Sequence, residues 1–296
     1  MPRPDVVWLA SYPKSGNTWL RMLLANLRSG LDSPVGINSE LVCMPEYRSR
    51  NGFDNMTLLE SGMLTAGEIE CLQPAVYREL AAELRETAFC KIHDAYLRNR
   101  NGVAIHGACR AVVYVIRDPR DVAVSLAHHL GIGVDAAIAM MNSPTAALAL
   151  NVGRQRGQMR QRLLDWSGHV RSWTGQNDVP VHVVRYEDMK RDTEGVFGGM
   201  LEFVGLGATA DGIRRAVRFS GLSELQRQER AEGFRERLPA STSWFFRQGE
   251  AGGWRRALTP AQADAISAAH HDTMSRFGYS GQLTQEAAFA ATAEAS

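Results

Sequence analysis

Apolar positions along this chain follow two periods. Short β-branched runs at residues 6–10, in "AFCKIH" ending on His93, at residues 112–116 and in "VPVHVVRY" ending on Tyr186 predict buried strands. Between them the spacing is helical. Trp19, Leu20, Leu23, Leu24 and Leu27 predict a helix capped by Asn17 or Thr18. "TAGEIECL" and "PAVYRELAAELR" read as two further helices, with Pro74 opening the second. The turn Asp118-Pro119 leads into a helix running to about Leu130. "RLLDWSGHVRSW" sets Leu163, Leu164, Trp166, Val170 and Trp173 on one face. Helices also follow Tyr186 and occupy "GIRRAVRFS" and "LSELQRQE". The last, "TPAQADAISAAHHDTMSRF", has Thr259 as its cap and Pro260 in its first position. Residues 29–64 and 229–253 lack a period and read as long loops.

Strands alternating with helices predict an α/β fold, a central parallel sheet flanked by helices in three layers. Such sheets bind ligands at the carboxyl ends of their strands. Lys14, His93, Arg117 and Tyr186 all fall at those ends and are expected to share one rim. Residues 1–281 form one expected domain, and the Ala-rich residues 282–296 a tail.

Composition adds mainly exclusions. The 296 residues are 45% hydrophobic, enough for a sizeable core. With 33 basic and 32 acidic side chains the net charge is +1, which favours neither nucleic acid nor a membrane surface. The start, "MPRPDVVWLA", lacks the signal-peptide pattern, and no window approaches the ~18 apolar residues of a membrane span. Cys43, Cys71, Cys90 and Cys109 are scattered with no C-x-x-C, so neither a zinc site nor a disulfide framework is expected, and a cytoplasmic location fits.

The chemistry concentrates in three stretches. "YPKSGNTW" (12–19) is a strand-to-helix turn of the P-loop type. Gly16 lets the backbone approach an anion, Lys14 supplies charge, and Ser15, Asn17 and Thr18 supply hydroxyl or amide donors. It departs from the nucleotide-hydrolase pattern because Lys14 precedes the glycine. "VIRDPRDVAVS" offers Arg117 at a strand end and Ser125 two turns into the next helix, a second anion-binding pair. His93 at its strand end is a candidate general base. Asp118 after an apolar strand could serve a magnesium-dependent kinase using ATP, although Asp-Pro there more often marks a turn. A non-catalytic nucleotide-binding protein would need the anion loops but not His93. Both alternatives stay open on the residues alone.

Taken together, these stretches resemble the sulfotransferases that use 3′-phosphoadenosine 5′-phosphosulfate (PAPS). "YPKSGNTW" is similar to that family's Y-P-K-S-G-T-T-W, with Asn17 in place of a Thr. "VVYVIRDPRDVAVS" is similar to its apolar strand with Arg and, eight residues on, Ser. "RQGEAGGWR", from Arg247 to Arg255, is similar to R-K-G-x-x-G-x-W-[KR]. The likeness runs from about residue 6 to 277. It implies that Lys14, Ser15, Gly16, Asn17 and Thr18 hold the 5′-phosphosulfate. It implies that Arg117, Ser125, Arg247, Gln248 and Gly249 hold the 3′-phosphate. Trp19, Tyr186, Ser220 and Leu222 would surround the adenine. Ser220 and Leu222 stand where the family has Thr and Phe, and Gln248 where it has Lys. "FCKIHDAY" is similar to the K-T-H segment, which implies His93 as general base, with Lys91 assisting and Lys14 stabilising the leaving group. No metal is implied. The acceptor is expected to be a small molecule, a glycopeptide or a lipid. Met44, Tyr47, Phe53, Trp244, Phe245 and Phe246 are candidate walls for it. His128, His129, His270 and His271 read as structural. Arg255, Thr259 and Asp264 partly match the family's dimer motif, with Pro260 replacing a Val, so a homodimer is possible on this likeness.

Overall fold

The computed structural model describes residues 6–39, 49–149 and 157–280. In chain order it begins with strand β1 (Val6–Ser11), helix α1 (Asn17–Ser29), α2 (Arg50–Thr57), α3 (Ala66–Ala82), β2 (Ala88–Ile92) and β3 (Ala111–Ile116). There follow α4 (Pro119–Leu130), α5 (Val134–Met141), the two-residue strands β4 (Ala147–Leu148) and β5 (Gln161–Arg162), α6 (Trp166–Thr174) and β6 (Val181–Arg185). The chain continues through α7 (Tyr186–Arg191), α8 (Thr193–Phe203), α9 (Ala210–Phe219), α10 (Leu222–Glu232), the short α11 (Trp254–Ala257) and α12 (Pro260–Arg276).

Four strands form a parallel sheet in the order β2-β1-β3-β6. The central pair, "VVWLAS" and "AVVYVI", is buried at every position, which explains why both read as unbroken apolar runs. The two-residue side-chain period splits them between two cores. Val6, Trp8, Ala10, Val112, Tyr114 and Ile116 pack against α4, α6 and α12. Val7, Leu9, Val113 and Val115 pack against Leu20, Leu23 and Leu24 of α1 and Phe197, Met200 and Leu201 of α8. The result is the expected three-layer α/β arrangement. No single helix among the described residues is long and apolar enough to cross a membrane.

Several local expectations change. Residues 50–57, expected as loop, form α2, with Ser49 Oγ accepting the Gly52 N–H as its cap. The two helices expected on either side of Pro74 are one, α3, with Pro74 inside it. Proline cannot bond the carbonyl four residues back. That carbonyl, of Glu70, instead accepts from Asn99 Nδ2 at 3.3 Å. The helix expected from residue 162 starts only at Trp166, capped by Asp165; residues 161–162 pair with β4. Thr259 and Pro260 do open α12. Cys43, Met44, Tyr47 and the tail lie outside the described residues.

Candidate active site

A cavity of about 1000 Å³ opens at the carboxyl edge of the sheet. Lys14, Gly16, Asn17, Thr18, Trp19, Lys91, His93, Arg117, Ser125, Tyr186, Ser220, Leu222, Arg247, Gln248 and Gly249 all line it. Of the residues expected to catalyse or to hold the cofactor, Ser15 alone does not line the cavity. Its hydroxyl is buried behind the loop, with no hydrogen-bond partner.

The first loop is built by two unusual backbone positions. Lys14 has φ 69 and Gly16 φ 109, the left-handed region that costs a side chain strain. A Cβ on Gly16 would lie 2.6 Å from the Tyr186 ring, so the position needs glycine on two counts. Gly16 also occupies the cap of α1, where a side-chain cap from Asn17 or Thr18 was expected, and no side chain caps the helix. The first-turn N–H groups are therefore not claimed by a side-chain cap, which suits an anion. The Asn17 amide turns away instead, donating to the Leu9 carbonyl at 2.7 Å and to Ser11 Oγ at 3.4 Å. Phe245 covers the Lys14 ammonium, whose Nζ lies 3.6 Å from the ring centroid. Burial, then the nearby Lys91 and Arg117 charges, push the Lys14 amine down to about 7, against the opposing pull of Glu236 and Glu229.

His93 sits beside this loop at the end of β2. Its Nδ1 lies 2.8 Å from the Ser11 carbonyl, which only accepts, so Nδ1 carries the proton and Nε2 keeps its lone pair. Burial, then Lys91, hold the ring far below the ordinary histidine range and hence neutral. A second layer fixes the backbone here. His169 Nε2 donates to the His93 carbonyl at 3.1 Å, while Tyr114 Oη lies 2.8 Å from His169 Nδ1. Such a neutral, anchored imidazole facing a cavity is suited to taking a proton.

The second cation group forms at the end of β3. Arg117 Nη1 donates to the Lys14 carbonyl and Nη2 to the Glu250 carbonyl, at 3.3 and 2.9 Å. Its guanidinium lies 4.3 Å from the Tyr186 ring centroid, and its buried Nε has no partner. Arg247 lies near enough that burial, then Arg117, lower its pKa. Two cations drawn together with a donor atom unspent suit a multiply charged anion. Asp121 shapes the wall: its carboxylate accepts from the Gly252 and Trp254 N–H groups at 2.7 and 2.8 Å. Trp19 Nε1 donates to the Ser220 carbonyl at 3.0 Å, Leu222 packs against Gly249, and all four line the cavity.

The wider walls differ from expectation. Phe245 and Phe246 line the cavity, but Phe53 packs with Val76 and Met159, and Trp244 is exposed under Arg237. Leu148, Ala149, Gln158 and Gln161 complete a wall that no sequence period indicated. His129, expected to be structural, lines the cavity and meets the Phe245 ring edge-on. Arg21 and Glu236 also face it, joined by an ion pair of 2.7 Å. Asp118, the carboxylate a kinase would need, is spent on Arg120, at 2.9 and 3.2 Å from Nε and 2.7 Å from Nη2. Among the described residues no three His, Cys, Asp or Glu side chains cluster as metal ligands.

Comparison with known proteins agrees with this geometry. The family described as "Sulfotransferase domain" matches residues 4–278. Sulfotransferase 2A2 of Rattus norvegicus is 23% identical over 93% of this chain and 86% of its own length. Cytosolic sulfotransferase 13 of Arabidopsis thaliana is 27% identical over 88% of this chain and 74% of its own. Among solved structures, retinol dehydratase with androsterone and the inactive cofactor PAP is similar at a TM-score of 0.58 and 20% identity, covering 93% of this chain and 82% of that one. Mouse sulfotransferase SULT7A1 with PAP is similar at a TM-score of 0.55 and 19% identity, covering 92% and 85%. With a family match over nearly its whole length, the chain belongs to the sulfotransferase family.

Proposed function

We propose that this chain moves the sulfuryl group of PAPS to a hydroxyl, or an amine, of a small-molecule acceptor. The observation that carries the reading is the contact of His93: Nδ1 lies 2.8 Å from the Ser11 carbonyl, which leaves the Nε2 lone pair unclaimed by that contact in a residue lining a cavity that also holds Lys14 and Lys91. The PAP named with two structural neighbours supports the choice of donor. Lys14 and the open first turn of α1 take the 5′-phosphosulfate; Arg117, Ser125, Arg247, Gln248 and the backbone at Gly249 take the 3′-phosphate. Trp19, Tyr186, Ser220 and Leu222 bound the adenine.

In the reaction the acceptor proton passes to His93 Nε2 as the acceptor oxygen bonds to sulfur. The bond from sulfur to the phosphate oxygen breaks, and 3′,5′-phosphoadenosine (PAP) leaves. Charge builds on the departing phosphate oxygen, where the Lys14 ammonium and the loop N–H groups stabilise it. Positioning and electrostatics dominate such a transfer, as in phosphoryl transfer. Androsterone in one neighbour supports a small hydroxylated acceptor, and the name of the Arabidopsis relative supports a cytosolic setting.

The test is label transfer from radiolabelled PAPS to a panel of phenols, alcohols and amines. Transfer by the native chain and a loss of about 10²–10⁴-fold in His93→Ala are expected, with PAP affinity kept. A His93→Ala chain as fast as the native one would contradict the assignment.

A further inference from the structure

One carboxylate stands among the cations at the transfer end of the cavity. Glu236 comes from the stretch after α10. Its Oε1 lies 2.7 Å from Arg21 Nη2, and its Oε2 lies 2.9 Å from the same nitrogen and 2.8 Å from Lys91 Nζ. It therefore joins α1, β2 and the stretch 233–253. Arg21 is almost fully buried, and the same Nη2 donates to Thr18 Oγ1 at 3.0 Å. With its oxygen accepting from Arg21, the Thr18 hydroxyl keeps its own hydrogen for another partner. Lys91 and His93 are two residues apart at the end of β2, on one face of the strand, and both line the cavity.

We propose that Glu236, anchored by Arg21, is a positioning residue for sulfuryl transfer: it holds Lys91 beside His93 and supplies the counter-charge that lets Lys91 and Lys14 stand together at the leaving-group end. The inference rests on the transfer reading above. Glu236 is not itself the base. Burial would raise its pKa, but Lys91 and Arg21 overcome that and hold the carboxyl well below the usual range, with both oxygens engaged. With both oxygens taken by Arg21 and Lys91, the carboxylate has neither oxygen free of a cation to meet the acceptor proton. Its effect is felt at Lys14, where its charge opposes the repulsion of Lys91 and Arg117.

The groups facing Lys14 are Lys91 of β2, Arg117 at the end of β3, His129 of α4, Glu229 of α10 and Glu236, with Phe245 over the ammonium. His129, near 4, and His93 are neutral throughout the range to be measured. A bound phosphate favours the charged amine. Affinity for PAP is therefore full below the Lys14 pKa of about 7 and declines as pH rises through it.

The experiment is calorimetric titration of the full chain with PAP from about pH 6.5 to 9, above the phosphates' second ionisation at about 6. The native chain, Glu236→Gln and Glu236→Asp are compared. In Glu236→Gln, where Lys14 loses a compensating charge, the decline is expected to begin about one pH unit lower, so that at about pH 6.5 its affinity is already falling while the native affinity is still near its maximum. Glu236→Asp, which keeps the charge, is expected to retain the native midpoint. A merely structural role would change affinity equally at every pH. Such a uniform change, or a native midpoint in Glu236→Gln, would overturn the proposal while leaving the transfer reading intact. A native chain that binds no PAP at any pH would overturn both.

Discussion

Two strand–turn–helix units lie side by side in this sheet, and their helices open in different ways. β1 and β3 are adjacent, parallel and buried throughout. α1 opens on Gly16 with no side-chain cap. α4 opens on Asp118, whose carboxylate accepts the Arg120 N–H and holds the Arg120 guanidinium. The first helix thus presents N–H groups and the positive end of its dipole to a ligand, whereas the second has filled that place with its own carboxylate. With that place filled, a phosphate beside α4 falls, on the function proposed above, to Arg117 at the strand end and Ser125 within the helix, rather than to the N–H groups of the helix itself. One residue at the cap position, Gly16 or Asp118, separates an open helix start from a filled one.

Removing the cap carboxylate is the most severe way to break this contrast. Arg120 is fully buried and Asp118 nearly so. Asp118→Ala leaves that guanidinium uncompensated, and a loss of about 3–5 kcal/mol is expected in urea unfolding. A loss below about 1 kcal/mol would mean that Asp118 is not the partner Arg120 depends on. Arg117→Ala sharpens the contrast with a smaller effect. PAP affinity is expected to fall by about 1.5–3 kcal/mol, roughly ten- to hundredfold, while ADP, which lacks a 3′-phosphate, changes much less in the same calorimetric comparison. Equal losses for the two nucleotides would contradict the division of labour between the loops.

The parts of the molecule written locally were legible in the sequence. The four sheet strands announce themselves by short apolar runs, and the cap and first residue of α12 by Thr259-Pro260. The anion loop is visible because a strand, a glycine and a helical period follow one another within residues 6–29. What could not be read depends on distant partners. Pro74 sits inside α3 because Asn99, 29 residues away from Glu70, takes up the freed carbonyl. Arg21 and Glu236 are 215 residues apart, and nothing near Glu236 marks it for the cavity. Asn17 has the residue type of a cap, but Gly16 holds the cap position one residue earlier, and the Asn17 Nδ2 donates to the Leu9 carbonyl and Ser11 Oγ. A basic residue facing inward on α1 one turn after the loop was the one available hint of Arg21.

The most direct measurement is calorimetric binding of PAP to the native chain near pH 7, with ADP and Mg-ATP as controls. PAP is expected to bind tightly and ADP much more weakly, because Arg117, Ser125 and Arg247 have no 3′-phosphate to hold. Preference for Mg-ATP, or equal affinity for PAP and ADP, would contradict the two-loop site and the sulfuryl transfer built on it.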